Sequence, residues 1–276
     1  MLEVSYSAHD ARGGPVILGI LRLIVFGIDT AFWIPAVMLA SLADRDARLA
    51  YRMAQHWAAF NLKLTGTHVV VDGLEQLDPR QSYVFMSNHR SNLDVLVLVE
   101  ALWKFQLRWV AKEELFRIPG FGWGLRATKQ ILVNRADHAQ AVASLAAAKQ
   151  RMHDRISVVF FPEGTRGCGG EMLPFKKGGF VFAIETGATI VPIAIIGTAS
   201  ILPRASWIPR RGGDVRVSIC RPIPARQYVI EQRDALLANA RAAIAARLVV
   251  IDAPASVAPS DAPVSVPVGM RSSAGR

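Results

Sequence analysis

Apolar residues are distributed along this chain in three distinct ways. Val16 to Ala43 is almost continuously hydrophobic, interrupted by Arg22, Asp29 and Pro35. Arg22 and Asp29 are seven residues apart, so on a helix they share a face. Such a strip can lie against the rest of the protein or reach lipid headgroups. Pro35 predicts a kink or an end. The run is long enough for one membrane span, although two central charges would cost about 2.5–3.5 kcal/mol each on an insertion scale. Next, Leu49, Met53, Trp57, Phe60 and Leu64 recur at helical spacing beside Arg45, Arg48, Arg52 and Lys63. This pattern suits a helix in an anionic membrane interface, and also an amphipathic helix packed on a core with solvated arginines. Residues 1–64 are therefore expected to form membrane-associated helices, spanning or interfacial.

From Gly66 onward, short apolar runs alternate with helical patterns, which predicts an α/β domain over residues 65–251 with a largely parallel sheet flanked by helices. Strands are expected at Thr67–Val71, Ser82–Met86, Leu107–Ala111, Lys129–Asn134, Ile156–Phe161, Thr189–Ile196 and Val215–Cys220. Pro192 cannot donate to a ladder, which predicts an edge, bulge or rim position for it. The stretch Ile118-Pro119-Gly120-Phe121-Gly122 reads as a loop. Asp137 with Gln140 resembles a capping box for an alanine-rich helix to about Met152. Further helices are expected over Phe180–Thr186, stopped by Gly187, and over Gln227–Val250. Leu202–Gly213 is a basic loop containing Trp207. Residues 252–276 are Pro, Ala, Ser and Val with little else, the composition of a disordered tail.

Charge narrows the choice of partners. The chain of 276 residues carries a formal charge of +10, which favours an anionic partner: a phospholipid surface, a phosphorylated substrate or nucleic acid. No recognisable nucleic-acid motif accompanies the charge, so nucleic acid is not expected. Mean hydropathy of +0.27 is too low for a polytopic membrane protein. Cys168 and Cys220 form no metal spacing and are expected as reduced thiols in a cytosol-facing protein. Asp10 and Arg12 precede the apolar run and no clean cleavage site follows, so no signal peptide is expected.

Candidate chemistry centres on Ser87-Asn88-His89-Arg90-Ser91-Asn92-Leu93-Asp94, between a predicted strand and helix. A carboxylate on an imidazole fixes its tautomer and stabilises the imidazolium, making His89 a candidate general base with Asp94 as its partner. The same residues also read as a loop histidine beside a helix cap. Ser91 as a covalent nucleophile lacks a Gly-x-Ser-x-Gly elbow. One histidine and one aspartate are too few for a metal. Phe161-Pro162-Glu163-Gly164-Thr165-Arg166 ends another strand, and Lys176-Lys177-Gly178-Gly179 follows. Lys112, Arg135 and Arg166 each follow a predicted strand, so one rim could hold all three around an anion.

These segments, in order, resemble the 1-acylglycerol-3-phosphate acyltransferase family, the lysophospholipid acyltransferases. Asn88-His89 with Asp94 fits the family's His-x4-Asp motif; Lys129 to Arg135 looks like its second motif, with Asn134 where aspartate is common. Phe161 to Arg166 reproduces the third, and Val191-Pro192-Ile193 fits the fourth. The resemblance spans roughly residues 66 to 222. It implies acyl transfer from a thioester, acyl-CoA or acyl carrier protein, to the free hydroxyl of 1-acyl-glycerol-3-phosphate at the cytoplasmic face of an inner or plasma membrane. No cofactor or metal is implied. His89 and Asp94 would be catalytic, Glu163, Gly164, Thr165 and Arg166 would belong to the glycerol-phosphate site, and Lys112 and Arg135 would assist with phosphate. Pro192 would shape the acyl or acceptor pocket. Loop amides near Arg90 and Ser91 are candidate oxyanion donors. Another lyso-lipid, such as lyso-ornithine lipid, is the alternative acceptor.

Overall fold

Continuous apolar runs become central strands because both of their faces are covered. The computed structural model describes residues 14–134, 138–151, 155–167, 171–210 and 212–252. Its strands are β1 (Thr67–Asp72), β2 (Tyr83–Ser87), β3 (Gln106–Lys112), β4 (Ile131–Val133), β5 (Ile156–Phe160), β6 (Thr189–Ile196), β7 (Gly213–Ile219) and β8 (Ile223–Pro224). They form one sheet in the order β1-β7-β6-β2-β5-β3-β4, with β8 beside β6. β6, β2, β5, β3 and β4 are parallel to their neighbours in that order. β7 is antiparallel to β6 and carries β1 parallel to itself. Every position of β2 and β5 is buried.

The helices are α1 (Gly14–Ala40), α2 (Arg48–Thr65), α3 (Leu93–Ala101), α4 (Glu113–Phe116), α5 (Phe121–Ala127), α6 (His138–Arg151), α7 (Gly178–Thr186), α8 (Thr198–Ile201) and α9 (Arg233–Asp252). Side chains alternate across the sheet. Phe85 joins Tyr51 and Leu62 of α2 and Leu98 of α3 on one face. Val84 and Met86 join Phe180 of α7 and Leu236 and Ala240 of α9 on the other. The result is a three-layer sandwich.

Three expectations need correction. Pro192 lies inside the sheet and is buried, between β2 and the β7–β8 side. Its carbonyl accepts Cys220 N–H at 2.9 Å, and in an extended residue the amide position points the same way. Its nitrogen therefore faces Cys220, which continues the Ile193–Ile219 register; lacking an N–H it cannot return that bond, and the β6–β7 ladder ends there, before β8 pairs with Ile190. Residues read as loop after Gly120 contain α5, and the final helix begins at Arg233 instead of Gln227, behind β8. Asp137 and the tail beyond Asp252 lie outside the described residues.

α1 reverses the usual pattern of a surface helix. Its polar side faces the protein: Asp29 accepts from Trp33 Nε1 at 3.1 Å and from Asn61 Nδ2 of α2 at 2.7 Å, and Thr30 accepts from Trp57 Nε1 at 3.1 Å. Ile17, Leu21, Ile24, Ile28, Phe32 and Leu39 face outward, exposed. Pro35 does not end this helix, which continues to Ala40. α2 starts where Asp44 accepts the N–H groups of Arg48 at 2.8 Å and Leu49 at 3.1 Å. The connection before it is tied to the sheet by Arg108 of β3, which is buried, donates to the Asp46 carbonyl and lies 5.3 Å from the Tyr51 ring.

Candidate active site

β2 delivers Asn88 and His89 to the C-terminal edge of the parallel strands, where open α/β sheets place their sites. Asn88 is fully buried and its amide grips the neighbouring strand end, donating to Ile195 O at 2.9 Å and accepting Ile195 N–H at 2.8 Å. His89 Nδ1 meets Asp94 Oδ2 at 2.8 Å, with the imidazole 15% and the carboxylate 1% exposed. An ionised carboxylate only accepts, so Nδ1 carries the proton and Nε2 offers its lone pair. Oδ2 also accepts the N–H groups of Arg90 at 2.7 Å and Ser91 at 2.9 Å. Those two amides are therefore committed to the carboxylate and do not serve as oxyanion donors. Ser91 Oγ is likewise occupied: it donates to Leu202 O at 2.6 Å and accepts Leu93 N–H at 3.1 Å, holding the loop instead of acting as a nucleophile.

The loop after β5 grips His89 from three sides. Phe161 stacks on the imidazole, with centroids 3.9 Å apart and planes 11° from parallel, and Trp109 lies behind Phe161 at 5.7 Å. Glu163 Oε1 accepts His89 N–H at 2.8 Å, while Gly167 N–H donates to His89 O at 2.8 Å. The other Glu163 oxygen accepts Leu173 N–H at 2.8 Å. The carboxylate is 3% exposed with both oxygens taken by backbone donors. The resemblance implies a substrate contact for Glu163; in the fold it braces the backbone of His89. That role follows from the β2–β5 pairing, which sets the ends of the two strands side by side.

The remaining candidates separate. Gly164 has φ +73°, and a Cβ there would come 2.8 Å from Lys176 Cε, so the Lys176 side chain passes directly over this turn. Thr165 is exposed and Arg166 half-buried, its Nη1 donating to Arg204 O at 3.1 Å. Lys112 ends β3 on the same sheet edge, exposed. Arg135 lies outside the described residues, as does Cys168; Cys220 is free and buried. Sequence reasoning overlooked the Arg90 side chain, whose guanidinium lies beside Gly167, and grouped Lys176 with the charges after the Phe161–Arg166 loop without placing it over Gly164. Only the loop crossing reveals both. Pro192 is enclosed in the sheet and does not line the groove beside the catalytic loop. No cluster of three metal-ligating side chains occurs among the described residues.

Beside the catalytic loop, a shallow apolar groove of about 110 Å³, open to solvent, runs between α1, α2 and the start of α3. Its walls include Leu23, Phe26, Leu64, Leu93 and Leu96.

Comparison with known proteins agrees with this geometry. The family model described as Acyltransferase matches residues 68–196. A chloroplastic 1-acyl-sn-glycerol-3-phosphate acyltransferase of Arabidopsis thaliana is 32% identical over 249 residues, 88% of this chain and 68% of its own length. Its counterpart in Brassica napus is 31% identical over 80% of this chain and 65% of its own length. The chain thus spans about two thirds of these plant relatives. In Helicobacter pylori the enzyme of that name is 41% identical over 115 residues, covering 41% of this chain and 48% of its own. The crystal structure of the 1-acyl-sn-glycerophosphate acyltransferase of Thermotoga maritima superposes with a TM-score of 0.74, covering 88% of this chain and 98% of that one at 23% identity, and so shares the fold. The sheet, the His89–Asp94 loop braced by Phe161–Gly167 and these relatives lead to one assignment: the chain belongs to the 1-acylglycerol-3-phosphate acyltransferase family.

Proposed function

We propose that this protein transfers a fatty acyl group from a thioester, acyl-CoA or acyl carrier protein, to the free hydroxyl of 1-acyl-glycerol-3-phosphate, giving phosphatidic acid. The carrying observation is the His89–Asp94 pair with Nε2 unengaged among the described residues. Nε2 takes the hydroxyl proton as the oxygen attacks the thioester carbonyl. The new C–O bond forms, the C–S bond breaks, and the proton on His89 passes to the departing thiolate. General-base assistance is worth about 10²–10⁴-fold, or roughly 3–5 kcal/mol of barrier. Arg166, with Lys176 and Arg90 close to the same loop, supplies positive charge for the acceptor phosphate. The apolar groove suits an acyl chain entering from lipid.

The protein docks on a membrane through α1, an apolar helix over Val16–Ala40 with only 11% of its most hydrophobic window buried. In-plane docking is favoured over spanning, because the body packs along α1 from Gly19, against Ile208, to Ile34, against Gly120. The docked side is the cytoplasmic face, where thioester donors are available. Mass spectrometry of products from purified protein, acyl-CoA and a panel of lyso-lipids tests the reading. Phosphatidic acid from 1-acyl-glycerol-3-phosphate is expected; products confined to phosphate-free acceptors such as lyso-ornithine lipid would overturn it.

A further inference from the structure

Two exposed tryptophans of the catalytic body flank α1, and one of them, Trp207, also lines the apolar groove. Trp207 is 73% exposed at the tip of the loop after α8. The loop holds it out firmly: Ser206 Oγ bridges Ile208 O and Ile208 N–H at 3.0 Å each, and Arg210 N–H donates to Ile201 O at 2.7 Å. The loop is also seated on the first half of α1. Gly19 provides a notch in which a Cβ would come 2.4 Å from Ile208 Cγ2, and Arg22 donates to Arg210 O at 3.2 Å. Arg204 and Arg210 are exposed beside the ring.

The second tryptophan sits towards the other end of the helix. Trp123 is 54% exposed on α5, with Ile118 and Leu115 also exposed nearby in the chain. α5 is brought to α1 where Gly120 approaches Ile34 Cδ1, at 3.1 Å from an added Cβ. Arg126 of α5 is exposed, with one guanidinium nitrogen donating to Phe116 O at 2.7 Å, while Arg117 is paired with Glu113 at 2.7 Å and Glu114 is exposed. An exposed indole on a rigid turn, next to arginine and continuous with an outward apolar helix face, has the composition of a membrane interface.

We propose that Trp207 and Trp123 are paired anchors in the headgroup region of an anionic bilayer, one near each end of α1, that hold this helix in the membrane plane. This rests on the membrane docking proposed above. The loop bearing Trp207 accepts hydrogen bonds from the catalytic loop, through Ser91 to Leu202 O, and from Arg166, through Arg204 O. Anchoring it places the mouth of the site at lipid level, so a lyso-lipid acceptor can enter without crossing water.

The test uses the full chain with phosphatidylcholine vesicles, with and without phosphatidylglycerol. Trp207→Ala and Trp123→Ala should each weaken flotation on the anionic vesicles by about tenfold, as expected for half-burial of a large apolar side chain. Both sites are exposed, and circular dichroism checks that the variants fold. In wild type, headgroup-proximal brominated lipid should quench a fluorescence component that Trp207→Phe lacks, and a second that Trp123→Phe lacks. If wild type floats but neither component is quenched and neither alanine variant weakens binding, the anchors are refuted and α1 docks alone. If wild type does not float on either vesicle, the docking reading itself fails, and the anchors with it.

Discussion

At the scale of single residues, the proposed mechanism depends on one imidazole and on what holds it. His89→Ala should lower turnover by about 10²–10⁴-fold while the protein stays folded, since the ring leaves a loop rather than the core. Asp94→Asn should also be severely impaired, because an amide cannot stabilise the imidazolium. Thiol release from acyl-CoA measures both, and turnover close to wild type in folded His89→Ala would exclude the mechanism. Glu163 gives a finer test. Glutamine offers one acceptor oxygen where the fold presents two N–H donors, from His89 and Leu173. Glu163→Gln should lose one charge-assisted bond of about 1.5–3 kcal/mol and lower kcat by roughly one to two decades, with a smaller change in acceptor KM. A rise confined to acceptor KM would show instead that Glu163 touches substrate.

At the scale of elements, two side chains set where secondary structures begin and meet. Asn88 joins the ends of β2 and β6 through two hydrogen bonds to Ile195. Asn88→Ala strands a buried N–H and a buried C=O, and should cost about 2–4 kcal/mol in denaturant unfolding, with activity lost in proportion to loop disorder. An unfolding curve matching wild type would show that Ile195 finds other partners. Asp44 caps α2. Partial burial pushes its carboxyl upward, but the backbone N–H groups of Arg48 and Leu49 outweigh this and hold it below its ordinary value of 3.8. The native state therefore prefers the carboxylate. Its contribution is complete above the unfolded value and is lost as pH falls through the lower folded one. Asp44→Ala should cost about 0.5–2 kcal/mol at neutral pH, and its unfolding curve should converge with wild type as the solution is acidified below 3.8. A gap that persists in acid would exclude the cap.

At the scale of the whole molecule, the proposed docking joins the outward face of α1 to the positive charge. Ile24 and Ile28 are 53% and 66% exposed, so charging them leaves the contacts of Asp29 and Thr30 with α2 in place. Ile24→Glu combined with Ile28→Glu should abolish vesicle flotation without lowering thermal stability in detergent. Binding of wild type should also weaken as salt rises, because the net charge of +10 is screened. Equal flotation of the double variant would remove α1 from the docking surface. Deleting α2 would be a poor substitute, since Tyr51, Ala58 and Leu62 belong to the main core.

Local pattern determined much of this protein. Continuous apolar runs such as Tyr83–Ser87 and Ile156–Phe160 had to become covered strands, and the turns after them had to carry the polar chemistry. His89 and Asp94 were legible because both lie within one short loop. What needed the tertiary structure involved partners distant in sequence. Pro192 could enter the middle of the sheet because it sits where the β6–β7 ladder ends, opposite Cys220, so only one return bond is forgone. Glu163 is a brace because β2 and β5 are neighbours, which spacing along the chain does not encode. The committed amides of Arg90 and Ser91 depended on which oxygen of Asp94 turned inward. α1 shows both sides of this division. Its sequence determined an apolar helix with one charged strip; only packing against Asn61, Ile208 and Gly120 decided that the strip faces protein and the apolar side is left exposed.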